Sequence, residues 1–155
     1  EITTRLVGSE MCIRDSMISV RGNGLRGIKI DISQCPDLFP TLAAAACAAL
    51  GDTIFTNAAR LRIKESDRIE AVEKMINSLG GFAESTEDSL TVRGTGTLPG
   101  GEVDSFNDHR IVMAAAVAAC ICEKAVVIHD AQAVNKSYPN FFEDYRKLGG
   151  KADVI

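Results

Sequence analysis

The chain has 155 residues, 46% of them hydrophobic and 25% charged, which excludes disordered and fibrous classes and leaves room for one or two small cores. Its 17 lysines and arginines are outweighed by 21 aspartates and glutamates. The net charge of −4 disfavours nucleic acid or an anionic membrane as a partner, so any anion site must be a local concentration of cations. No apolar run approaches the ~20 residues of a membrane span.

Residues 6–16, LVGSEMCIRDS, read as the translation of a transposase-type sequencing adapter, and their charges follow neither a helical nor a strand period. Residues 1–16 are therefore expected to be a non-native segment outside the packed domain, and residues 17–155 to form a partial domain. From there short strands alternate with helices. MISVRG and GIKIDI alternate apolar and polar residues around Gly22-Asn23-Gly24, a pattern that predicts a hairpin or strand pair. PDLFPTLAAAACAALG predicts a buried helix stopping near Gly51, and TIFT a short strand. DRIEAVEKMINSLGG sets Ile69, Val72, Met75, Ile76 and Leu79 on one helical stripe. GFAES and SLTVRG follow as strands, and GTGTLPGG as a loop.

The last third repeats this order. NDHRIVMAAAVAACIC predicts a second alanine-rich helix, AVVIH a strand, and NFFEDYRKLGG a helix capped by Asn140 with Glu143 three residues on. Asp37 precedes Lys64 by 27 residues, and Asp108 precedes Lys136 by 28. Each copy thus has an acid at a helix start and a lysine in the loop after the next strand. Five cysteines, at 12, 35, 47, 120 and 122, lack metal-ligand spacing. Cys47, Cys120 and Cys122 lie in or at the end of apolar helical segments and are expected to act as small core residues, reduced in a cytoplasmic protein.

Two helices break the usual charge preference. Acids favour the first helical turn and bases the last, by ~0.3–1 kcal/mol each. Yet Arg68 follows the capping Asp67, with Lys64 in the approach, and His109 and Arg110 follow Asn107 or Asp108. A lone arginine at a helix start is ordinarily a solvated side chain. Two copies breaking the same rule, each with a loop lysine, predict a shared polyanion pocket. Read singly, Asp37 is the cap of a helix beginning at Leu38, Glu65 a partner for a neighbouring lysine or arginine, His129 a strand-end residue, and Arg62 and Arg93 surface residues.

At LRIKESDRI, NDHRIVMAAA and NKSYPNFF the chain closely resembles the C-terminal part of the 5-enolpyruvylshikimate-3-phosphate synthase family, from about Val20 onward. The resemblance implies an α/β fold of repeated βαβαββ-type units, the inside-out α/β barrel of enolpyruvyl transferases, with about two units present. It implies transfer of the enolpyruvyl group of phosphoenolpyruvate to the 5-hydroxyl of shikimate 3-phosphate, releasing phosphate, with no metal or organic cofactor. By motif position Arg68, Arg110 and Lys136 resemble phosphoenolpyruvate ligands, and Lys64 a ligand of the shikimate substrate. Asp37 resembles the acceptor of the hydroxyl proton and Glu65 the group handling the methylene proton, with His109 beside them. Arg60 stands where some members carry an asparagine that contacts the shikimate substrate, and is left out of this set.

The full-length enzyme is expected to be a cytoplasmic monomer acting on small molecules, with no nucleic-acid or membrane partner, and the fragment alone to be inactive. The alternatives are a UDP-N-acetylglucosamine enolpyruvyl transferase and a non-catalytic phosphate-binding repeat module. KESDR and NDHR favour the shikimate enzyme over the first, and the Lys-Glu pair with Asp37 beside one anion pocket argues against the second.

Overall fold

The computed structural model describes residues 2–6, 9–14 and 17–153, with side chains from residue 21 onward. Strands β1 (Ile2–Leu6), β2 (Ser9–Arg14) and β3 (Met17–Gly22) form an antiparallel sheet in that order, sharing no strand with the other sheets. Strand pairing runs through residues whose charge pattern predicted none. The expected exclusion of residues 1–16 from the packed domain turns on side chains outside the described residues.

The predicted pairing of MISVRG with GIKIDI does not form. β3 pairs with β2, whereas β4 (Lys29–Asp31) lies parallel to β5 (Leu50–Thr56). Gly24 takes a left-handed φ of 80°, and Gly27 donates its N–H to the Leu50 carbonyl at 3.0 Å, so the chain crosses to β5 instead of doubling back. That route buries Ile32 completely in the main core, beside Phe39 and Phe55.

A 3-10 turn over Pro36–Leu38 leads into α1 (Phe39–Cys47), with a proline in the opening turn of each, where a missing N–H is tolerated. α1 ends at Cys47, earlier than the Gly51 stop expected. Gly51 instead lies inside β5 with a φ of 92°, a bend that a residue with a Cβ resists. β5 also pairs antiparallel with β7 (Leu90–Thr95), and β6 (Phe82–Ser85) flanks β7, giving the order β4-β5-β7-β6. Thr53, Phe55, Leu90 and Val92 face inward, and Asp52, Ile54 and Arg93 outward. α2 (Arg68–Ser78) buries the predicted stripe of Ile69, Val72, Met75, Ile76 and Leu79. Asn77 ties its end to β6 by exchanging two hydrogen bonds with the Ala83 backbone, at 3.0 and 2.8 Å.

The second unit repeats the first: β8 (Glu102–Asp104), α3 (His109–Ala119), β9 (Val127–His129) parallel to β8, and α4 (Phe141–Lys147). Asp31 and Asp104 each end a first strand by accepting the N–H two residues on, from Ser33 and Phe106. Asn57 and Asp130 each follow a second strand with a left-handed φ, 58° and 52°, before a 3-10 turn (Ala59–Ile63 and Ala131–Lys136). Buried alanines on α1 and α3 let these two helices pack closely, and one core runs from Ile32 to Ala118 through both units.

Two local expectations fail. Asn140 stands at the N-cap of α4 but its side chain makes no capping bond; Lys147 instead pairs with Glu143 and Asp144 across the helix. Cys120 is exposed, its sulfur 3.4 Å from the Tyr145 hydroxyl, because the chain leaves the core at the end of α3. No helix among the described residues is long and apolar enough to cross a membrane.

A Cβ on Gly94 would sit 2.3 Å from the carbonyl oxygens of Ala46 and Ala49, where the end of α1 rests on β7. Gly94→Ala is therefore expected to lower stability by about 2 kcal/mol, read as a lower midpoint of urea unfolding. Removing residues 1–22, whose sheet shares no strand with the rest, is expected to shift the unfolding free energy by less than about 1 kcal/mol.

Candidate active site

The site is built where α2 and α3 begin. Asp67 caps α2 by accepting the Glu70 N–H at 3.1 Å, and is held by Arg62 at 2.7 Å. Arg62 also donates to the Glu87 and Thr86 carbonyls, so this part-exposed residue acts as a structural clamp. The cap starts the helix at Arg68, whose side chain is only 3% exposed. Its Nε donates to Asp108 Oδ2 at 2.8 Å, and one terminal nitrogen to Asp37 Oδ1 at 2.9 Å.

Asp108 has no exposed surface. Besides Arg68, it accepts the Ser66 hydroxyl at 3.1 Å and the Arg110 backbone N–H at 2.9 Å, the latter bond capping α3. Arg110 reaches across to Asp37, with Nη2 3.3 Å from its carboxylate and Nη1 donating to its carbonyl at 3.1 Å. Asp37 therefore caps no helix; it bridges two arginines. The Nε of Arg110 is buried and has no partner among the described residues.

Glu65 pairs with His109 Nδ1 at 3.0 Å instead of with a lysine or arginine. Phe106 and Asn107 are both left-handed, with φ of 50° and 53°, and the turn they make offers the Asn107 carbonyl to the ammonium of Lys136. Lys64 is exposed at the end of its 3-10 turn, close enough to act electrostatically on Asp37. Asp37, Arg68, Asp108 and Arg110 thus form one bonded network. Glu65, His109 and Lys136 are attached at its edge, and Lys64 faces it. Arg60 is exposed on the same 3-10 turn as Arg62, and Arg93 and His129 lie elsewhere, paired with Asp52 and Glu102.

Partial burial raises the Asp37 pKa, but Arg110, Arg68 and Lys64 outweigh it and hold the carboxyl below its ordinary 3.8. For Asp108 the larger burial penalty is outweighed by Arg68, the Arg110 N–H and Ser66, again leaving it below 3.8. Both are carboxylates at neutral pH. Glu65, Asp108 and His109 each bring a possible metal-ligand atom within 4.8 Å of the others. Asp108 is already taken by three donors with a guanidinium against it, so the arrangement suits an anion better than another cation.

Asp108 and Ser66 were not among the candidate site residues. The signal for Asp108 lay in the repeat, where it holds the place in the second unit that Asp37 holds in the first.

The family model for EPSP synthase (3-phosphoshikimate 1-carboxyvinyltransferase) matches residues 4–145. The chain belongs to the EPSP synthase family. It is 46% identical over 154 residues to a 3-phosphoshikimate 1-carboxyvinyltransferase of Clostridioides difficile, covering 99% of this chain and 35% of that protein. A namesake from Clostridium kluyveri is 47% identical over 147 residues, covering 95% and 34%. The chain thus spans about a third of the length of the curated relatives it matches. An EPSP synthase structure from Acinetobacter baumannii superposes with a TM-score of 0.78 at 34% identity, covering 84% of this chain and 32% of that one. The enolpyruvyl transferase NikO from Streptomyces tendae, at 19% identity, shares the fold with a TM-score of 0.73, covering 94% and 33%. These likenesses establish the enolpyruvyl transferase fold, of which this chain is part.

Asp108→Ala leaves the buried Arg68 guanidinium with the part-exposed Asp37 alone, and is expected to cost about 3–5 kcal/mol of folding stability. Both carboxyls titrate lower in the folded chain than in the unfolded one. Their contribution is therefore complete above about pH 5 and lost as pH falls through the folded-state values. Urea titrations from neutral to acid pH are expected to show stability falling below about pH 4, with a shallower fall in Asp108→Asn.

Proposed function

We propose that this chain forms part of the catalytic cleft of an enzyme that transfers the enolpyruvyl group of phosphoenolpyruvate to the 5-hydroxyl of shikimate 3-phosphate. The enzyme acts as a cytoplasmic monomer without a cofactor. The observation that carries this reading is the bridged pair of arginines, held on a buried carboxylate, with Asp37 and Glu65 beside it. Phosphoenolpyruvate puts a phosphate and a carboxylate in one small volume. Two guanidinium forks with the Lys136 ammonium match that pair of anions, and Lys64 takes the phosphate of the acceptor.

In this reading the acceptor oxygen bonds to the enol carbon as Asp37 takes its proton, while protonated Glu65, oriented by His109, gives a proton to the methylene carbon. In the tetrahedral adduct Glu65 takes a proton back from the new methyl group as the C–O bond to phosphate breaks. The double bond is restored, and the proton held by Asp37 leaves with phosphate.

The test is a chimera in which this chain replaces the corresponding third of the Clostridioides difficile relative. Phosphate release is expected with shikimate 3-phosphate and not with UDP-N-acetylglucosamine. Asp37→Ala or Lys64→Ala is expected to lower it by about 10²–10⁴-fold, and Arg93→Ala by less than about twofold. Release with the nucleotide sugar alone, or insensitivity to Asp37 and Lys64, overturns the reading. The isolated chain is expected to show no turnover, because orientation of both reactants in a closed site contributes ~7–11 kcal/mol.

A further inference from the structure

Two acids hold Arg68, and they differ in burial and in bonding. Asp108 has no exposed surface and spends both oxygens on Arg68, Ser66 and the Arg110 N–H. Asp37 is 53% exposed at its side chain, and among the described residues its carboxylate meets donors from Arg68 and Arg110 alone. It offers these arginines two oxygens in a plane, as the carboxylate or phosphate of a bound substrate would.

We propose that Asp108 is a positioning residue that fixes the Arg68 guanidinium, and that Asp37 is an internal occupant of the anion site, displaced from the arginines when a substrate anion binds. The proposal rests on the reading of Arg68 and Arg110 as phosphoenolpyruvate ligands, and deepens it. Asp108 cannot leave without stranding a buried charge, whereas Asp37 exchanges two part-exposed ion pairs for solvent or for an acceptor hydroxyl. Binding of the donor thereby frees the carboxylate that is to accept the hydroxyl proton. Among the described residues the buried Nε of Arg110 has no partner, so it is a donor that an anion taking the place of Asp37 can satisfy.

The test is titration of the chain with phosphoenolpyruvate, followed by NMR of the arginine Nε–H groups. Coulomb's law alone makes removal of either acid strengthen anion binding; the proposal gives the two opposite signs. Asp37→Asn is expected to bind about two- to fivefold more tightly, the size of a part-exposed pair. Glu70→Gln, which removes the same charge from the start of α2 without touching Arg68, is expected to gain less. Asp108→Asn is expected to bind at least about tenfold more weakly and to lose the protected Arg68 Nε–H signal. Should Asp108→Asn not fold, Ser66→Ala is expected to weaken binding in the same direction by a smaller factor.

Tighter binding in Asp108→Asn (in Ser66→Ala if Asp108→Asn does not fold), or no gain in Asp37→Asn beyond that of Glu70→Gln, overturns the proposal. If Arg68→Gln abolishes binding in that case, the anion-site reading still stands. Failure of wild type and every variant to bind phosphoenolpyruvate overturns both.

Discussion

Taking the charges of Arg68 and Asp108 out of water costs several kcal/mol per ion, and their mutual attraction offsets that cost only where the geometry is good and the remaining donors and acceptors are satisfied. Those conditions hold here. Asp108 accepts from a guanidinium, a hydroxyl and a backbone amide, and Arg68 donates to a second carboxylate. The pair locks the first residue of α2 to the cap of α3, and so fixes the relative placement of two helix starts that come from different repeats. Three other charged groups of the site hang from that lock. Arg110 follows the cap directly, Asp37 bridges both arginines, and the turn leading to Asp108 supplies the carbonyl that holds Lys136.

The repeat explains why such a lock is available. Each unit runs strand, helix, parallel strand, 3-10 turn, helix, and each first strand ends in an aspartate that turns the chain by accepting an amide two residues on. Left-handed Asn57 and Asp130 then open the two 3-10 turns whose ends deliver Lys64 and Lys136. Close packing of α1 against α3 through alanines brings the two copies together without large side chains between them. One template used twice therefore converges Lys64 and Lys136 on a single place, and the positive ends of the α2 and α3 dipoles reinforce them.

Where local chemistry decides an element, the sequence was legible. The five-residue stripe of α2, the Asp67 cap and the existence of strands β6 and β7 follow from period and turn residues alone. Strand partnership did not follow. MISVRG and GIKIDI alternate equally well whichever neighbours they take, and the choice fell to the burial of Ile32 beneath β5. Asn140 shows the converse: a good capping residue in the right place, left unused where exposed pairs around Lys147 hold the helix. In the site, Arg68 and Arg110 were legible because they break the dipole preference, and Lys64 and Lys136 because they recur in the repeat. The central role of Asp108 was not, since a cap is an ordinary duty for an aspartate and its second duty toward Arg68 links residues 40 apart in the chain.

That separation bears on how the chain reaches its native state. The bonds of the network close loops of 31, 40 and 73 residues, between Asp37 and Arg68, Arg68 and Asp108, and Asp37 and Arg110. Chain entropy opposes closing such loops until contacts form to reward it, and contacts this remote in sequence slow folding relative to helix–helix neighbours. α2 can form and pack against β6 while Arg68 still lacks its acid. The ionic lock requires α3 to be docked, so its strength bears on how rarely the assembled pair of units comes apart.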